Sequence, residues 1–174
     1  MKRFALILFF ISCFVHAQNP YTNRPDLINP LLQNFHSEAL IRGIEFKERI
    51  SAIDSIMVID QPINFGGEER LLVGLKADGI RWTGNGKNWI ELKESVITNN
   101  LENSGRQFVV WHHEMGHYAG LNHCGECEYH IMAKAPSERQ YYLYKDEAFR
   151  KIMLDLFFEA VRNPKKWNEG HTHY

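Results

Sequence analysis

One stretch of eleven residues limits this chain more than any other: His113-Glu114-Met115-Gly116-His117-Tyr118-Ala119-Gly120-Leu121-Asn122-His123. Residues four apart on an α-helix stand one turn above one another, so His113 and His117 share a face and can share an ion. Glu114 lies about 100° further round, outside that pair but beside the place where another ligand would bind. His123 comes ten residues after His113. On a continuing helix it would stand roughly 15 Å along the axis and about 80° off the ligand face. The helix must therefore stop between them. Gly120 permits the stop, because glycine enters the left-handed conformation of a helix C-terminus without a Cβ clash. Three imidazoles with a nearby carboxylate match a catalytic Zn2+ site, which uses three protein ligands and leaves a position for water. Chance would place the five fixed residues in about one such chain in ten thousand, so the pattern is read as a site.

This extended pattern resembles the signature of the metzincin clan of zinc metallopeptidases, in which it is followed by a methionine-containing turn. Nine residues after His123 the chain reads His130-Ile131-Met132-Ala133, which puts Met132 at that turn. The resemblance is specific over about residues 107–136 and agrees in layout elsewhere. It implies an α+β, zincin-like catalytic domain: a twisted mixed sheet with an N-terminal helix, an active-site helix and a C-terminal helix. It implies His113, His117 and His123 as ligands of one catalytic Zn2+, and Met132 as a hydrophobic floor beneath them. Glu114 is then the general base, taking a proton from the attacking water and delivering it to the leaving amine. The implied activity is that of an exported zinc-dependent endopeptidase acting on peptide or protein substrates. The strand around Trp89-Ile90-Glu91-Leu92 falls where the family places an edge strand that pairs with extended substrate, though an ordinary sheet strand is an equal reading. The segment from Ala133 to Tyr142 is expected to wall the pocket for the residue after the cleaved bond. One position departs from some members: two residues after the methionine they carry a tyrosine, and here Lys134 stands.

Two other activities stay open. A non-catalytic module could keep the zinc fold and bind a partner through the cleft, but such a site has no need of Glu114. An aminopeptidase confined to short peptides is the other, although no amine-anchoring motif is recognisable. Three histidines do not by themselves exclude other divalent ions, so zinc is an expectation from the motif and the family.

At the N-terminus, Met1-Lys2-Arg3 is basic, Phe4 to Val15 is apolar, and Val15-His16-Ala17 offers a small-residue cleavage site. That reads as a secretory signal peptide over 1–17, too short to span a membrane. A secreted or periplasmic location is expected. Phe10-Ile11-Ser12-Cys13 loosely resembles a lipobox, but bulky Phe10 fits it poorly. Residues 18–174 are the right length for a single catalytic domain, expected to be a monomer without a membrane span. With 20 basic and 21 acidic side chains, the chain offers no broad attraction to nucleic acid.

Pro20, Pro25 and Pro30 among polar residues predict an extended lead-in over 18–30. Asn29-Pro30 resembles an N-cap with proline at the first helical position, and Leu32, Phe35, Ala39, Phe46 and Ile50 predict a helix to about residue 50. Strands are expected over Ser55 to Asp60 and Arg70 to Ala77. Arg81-Trp82-Thr83 and Asn88 to Lys93 flank Gly84-Asn85-Gly86, a hairpin turn signal. The ligand helix should run from about Arg106 to Ala119, and a last helix from about Tyr144 to Arg162, stopping before Pro164.

Other candidates carry blander readings. His112 has Gly116 at the i+4 position and is not expected to ligate. His130 is read as a polar turn residue or a support to a ligand. Tyr118, Tyr141 and Tyr142 are expected to pack, and His171 and His173 to lie in a solvated tail. Cys124 and Cys127 are the only cysteines after residue 17. In an oxidising compartment they are expected to form a disulfide that staples the loop after His123; a free thiol pair beside the metal is the alternative.

Overall fold

The computed structural model describes residues 20–50, 52–60, 78–98, 104–134 and 136–170. The expected signal peptide, the strand expected over Arg70 to Ala77, and His171 and His173 lie outside the described residues.

Chain order runs from strand β1 (Tyr21–Thr22) to helix α1 (Pro25–Ile41), the short α2 (Lys47–Ile50) and β2 (Ser55–Ile59). A hairpin of β3 (Gly79–Gly84) and β4 (Lys87–Lys93) follows, then α3 (Glu94–Ile97) and the ligand helix α4 (Ser104–Tyr118). Three helices complete it: α5 (Glu138–Leu143), α6 (Glu147–Arg162) and α7 (Pro164–Gly170). The class is mixed α+β, as expected. Its sheet has the order β1-β2-β4-β3. β1, β2 and β4 run parallel, with Ile56 opposite Ile90, and β3 is antiparallel, with Arg81 opposite Ile90. The hairpin closes through Asn85 and Gly86, both at positive φ (51° and 72°), the conformation that Asn-Gly favours between two strands.

The first helix corrects the sequence reading at both ends. It begins at Pro25, and Pro30 lies inside it. Proline at the first helical position lacks only an N–H that would have been unpaired anyway, so Arg24-Pro25 was the start signal. It stops at Ile41, not near residue 50. Gly43 (φ 69°) lets Ile44 N–H reach Ala39 O (2.9 Å) and Gly43 N–H reach Leu40 O (2.9 Å), which satisfies the last carbonyls. Phe46 and Ile50 are buried as expected, but from the segment after the helix.

Helices and sheet share one core. Ile28, Leu32, Phe35 and Ala39 of α1 bury with Ile56, Val58, Ile90 and Leu92 of the sheet, Val109, Trp111 and Met115 of α4, and Leu154, Phe157, Phe158 and Val161 of α6. Phe35 is the hub of its aromatic part, with ring centroids 4.9 Å from Phe46 and 5.5 Å from Phe158. α6 begins at Glu147, later than expected, because Asp146 Oδ1 accepts the Phe149 N–H (2.8 Å) and caps it. Tyr144 ends the preceding helix instead, its hydroxyl donating to Tyr129 O (2.8 Å). Among the described residues no helix is long and apolar enough to cross a membrane.

Candidate metal centre

α4 places His113 and His117 one turn apart with ring centroids separated by 4.8 Å. The helix ends as the motif requires: Gly120 has φ 85°, Gly120 N–H meets His117 O (3.0 Å), and Leu121 N–H meets Gly116 O (3.0 Å). The chain reverses and brings His123 back, its ring 5.0 Å from His113 and 4.7 Å from His117. Nε2 of His113 lies 3.0 Å from Nε2 of His123, and one ring nitrogen from each of the three falls within 4.8 Å of the others. Tetrahedral zinc with bonds of 2.0–2.1 Å would hold its nitrogens about 3.3 Å apart. The donor set therefore fits one metal ion.

Backbone carbonyls orient two of the rings. His113 Nδ1–H donates to Ile131 O (2.8 Å), and His117 Nδ1–H to Leu121 O (3.0 Å). Each bond leaves the Nε2 lone pair facing the cluster, which is how ligating histidines are held. Desolvation, reinforced by mutual repulsion among the imidazoles, lowers His113 to about 3 and His117 to about 4. Both rings are accordingly neutral at physiological pH, the form that binds a cation. Neither carbonyl was legible in the sequence, because any residue supplies one.

Glu114 faces β3. Its side chain is buried, and the Arg81 backbone N–H is hydrogen-bonded to its carboxyl. Gly79 makes room for it: a methyl there would stand 3.1 Å from Glu114 Cγ and 2.9 Å from Val110 Cγ1. Burial raises the carboxyl to about 8, against the opposing pull of the Arg81 N–H. Oε2 is buried with no partner among the described residues. A buried carboxyl with one oxygen unpartnered, one residue after His113, marks Glu114 as a candidate functional group. Arg81 also ties β3 to the end of the ligand helix, donating Nη1–H to His117 O (3.2 Å) while its guanidinium lies over the Tyr118 ring (5.0 Å).

Beneath the ligand helix, Met132 is fully buried. A methyl at Gly116 would stand only 2.3 Å from Met132 Sδ, so the turn touches the helix between its two ligands. Cys124 and Cys127 are joined by a disulfide, with Cα atoms 5.4 Å apart. The bond fastens the residue after His123, while Cys124 N–H meets Met132 O (2.8 Å) and Lys134 N–H meets Cys124 O (3.2 Å). The segment that carries His123 and the turn at Met132 are thus one braced unit.

Several expectations fall elsewhere. β4 is an interior strand; among the described residues β3 is the outer strand on the Glu114 side, so the edge expected around Trp89 to Leu92 belongs to Gly79–Gly84. Both runs alternate and flank the same turn, which is why sequence pattern did not separate them. His112 stays out of the cluster: it is buried between Phe35 and Phe108, with Nδ1–H donating to Phe108 O (2.8 Å). His130 braces the turn, its Nδ1 accepting from Met132 N–H (3.0 Å) and its carbonyl accepting from Gln140 Nε2 (3.0 Å). Lys134 is exposed, and Tyr142 lies exposed at the wall segment, where Ser137 caps α5 through the Gln140 N–H (3.2 Å). Compared with known proteins, the chain matches no family model, no curated protein and no solved structure.

Proposed function

We infer that this chain is an exported zinc-dependent endopeptidase of metzincin type. The observation that carries the reading is the convergence of His113, His117 and His123 within reach of one ion, with Glu114, the residue after His113, buried and its Oε2 unpartnered among the described residues. Zinc held by the three imidazoles would supply a Lewis acid that polarises the scissile carbonyl and acidifies water toward neutral pH. Every other part is the protein's own. Glu114 Oε2 accepts the proton of the attacking water and returns it to the leaving amine. Met132 and the disulfide-braced turn keep the triad from shifting as charge changes beside it. An extended peptide laid along the outer edge of β3 would bind through backbone hydrogen bonds, in a line that passes Glu114. The short reach from Gly79 to Glu114 supports that placement.

Cleavage of a diverse peptide library by residues 18–174, with Glu114→Ala alongside, tests the reading. Internal cleavage should vanish in the mutant while it still binds one zinc. Zinc-loaded wild type that cuts nothing would move the site to a binding role, and cutting abolished by blocking the substrate amine would make it an aminopeptidase.

A further inference from the structure

His123 is the one ligand that the ligand helix does not carry, and it is exposed. The turn before it is fixed by Gly120 and the segment after it by Cys124. Between them, residues 121–123 belong to no helix or strand: Leu121 is held by α4, and Asn122 is held by α7.

Asn168 spans the loop with its amide: Nδ2 donates to Gly120 O (2.9 Å), and Oδ1 accepts the Asn122 N–H (2.9 Å). Trp167 Nε1–H donates to Asn122 O (3.0 Å). Both backbone groups of the residue immediately before His123 are therefore held by one short helix. The Trp167 ring also stacks on His130 (centroids 4.5 Å apart, planes at 30°), the residue that accepts from Met132 N–H. α7 thus touches both the third-ligand loop and the methionine turn. Its own geometry is set locally: Pro164 opens it, Asn163 Oδ1 accepts the Lys166 N–H (3.1 Å), and Pro164 Cβ packs 3.8 Å from where a methyl on Gly120 would stand.

We propose that Asn168 and Trp167 are positioning residues for the third metal ligand, fixing the Asn122 backbone so that His123 meets the ring nitrogens of His113 and His117. This rests on the metal-centre reading of the three histidines. The hydrogen bonds are exposed, so they contribute little to global stability and act on the direction in which His123 is presented. Supports of this kind change metal affinity about ten- to a hundredfold when removed.

The test uses the full chain and Co2+ as the probe, with affinity measured by chelator competition and coordination by the visible absorption band. Asn168→Ala should bind Co2+ about ten- to a hundredfold more weakly. Trp167→Phe, which keeps a ring on His130 and removes the bond to Asn122 O, should weaken it less. Melting of both metal-free variants should stay close to that of the metal-free wild type. Wild-type Co2+ affinity in Asn168→Ala overturns the proposal, as does a metal-free melting temperature lowered as far as the metal-loaded one. A folded wild type that takes up no Co2+ refutes the metal-centre reading itself, and the clamp with it. A wild type that binds Co2+ but cleaves no peptide leaves the affinity comparison decisive, since it needs no activity.

Discussion

Replacing Gly116 by alanine isolates the contact between the ligand helix and the methionine turn. The new methyl would stand 2.3 Å from Met132 Sδ, 3.0 Å from Phe157 Cε2 and 3.3 Å from Met132 Cε. Comfortable separations are about 3.5–4.0 Å, and neither Met132 nor Phe157 has exposed surface into which to retreat. Overpacking of this degree costs about 1–3 kcal/mol, with the shortest approach pointing to the upper end. Alanine's better helix propensity offsets about 1 kcal/mol, which leaves a net loss of about 1–2 kcal/mol. Met132→Ala alone should lose about 2–5 kcal/mol, because it empties a fully buried site. In that background only the 3.0 Å approach to Phe157 Cε2 remains, and helix propensity offsets it, so Gly116→Ala becomes close to neutral. The cost of the same substitution thus falls by about 1–2 kcal/mol, which is the coupling. Urea unfolding of the four proteins of the cycle, followed by far-ultraviolet circular dichroism with chelator present, measures it without any contribution from a bound ion. Equal destabilisation by Gly116→Ala in both backgrounds would refute the contact as the reason glycine stands there.

Gly105→Ala should be worse tolerated, since its methyl would lie 2.0 Å from the backbone oxygen of Tyr141, which no rotamer change can move. A loss of about 3 kcal/mol, or a fall in Tm of roughly 6–12 °C, is expected by calorimetry. Asp78, buried with both Arg106 (2.7 Å) and Lys93 (3.9 Å), fastens the start of β3 to α4. Asp78→Ala should cost about 2 kcal/mol in urea unfolding, less than a fully buried pair because Arg106 is a third exposed. A protein of residues 18–174 should show no titratable thiol when denatured without reductant. Replacing Cys124 and Cys127 together by serine should lower stability by about 2 kcal/mol, as expected for a very short closed loop.

What the sequence disclosed depended on how local the cause was. The triad was legible because helix periodicity and one glycine determine where three imidazoles can go, and Gly120 adopts the required φ of 85°. The Asn85-Gly86 hairpin was legible for the same reason. Prolines were only half legible. Pro25 opens a helix where the pattern reads as extended chain, whereas the stop before Pro164 holds, with α6 ending at Arg162. Pro164 also opens a helix of its own, which a stop signal conceals, and with it Asn168 and Trp167. Gly43 gave an end signal for α1 that the run of apolar residues through Ile50 masked, because burial continues there in a different segment. Sheet order was out of reach altogether: which of two alternating strands lies outermost is decided by partners distant in sequence.

The reversal at Gly120 makes the histidine cluster a mechanical joint as well as a chemical one. An ion held by His113, His117 and His123 closes a ring through the chain, and the unfolded chain has no equivalent site. By mass action, ion present at a thousand times its dissociation constant adds about 4 kcal/mol to folding. Ordinary domains have only about 5–15 kcal/mol in all. Metal supply would then govern how long each molecule stays folded, a metal-free copy unfolding more often than a loaded one.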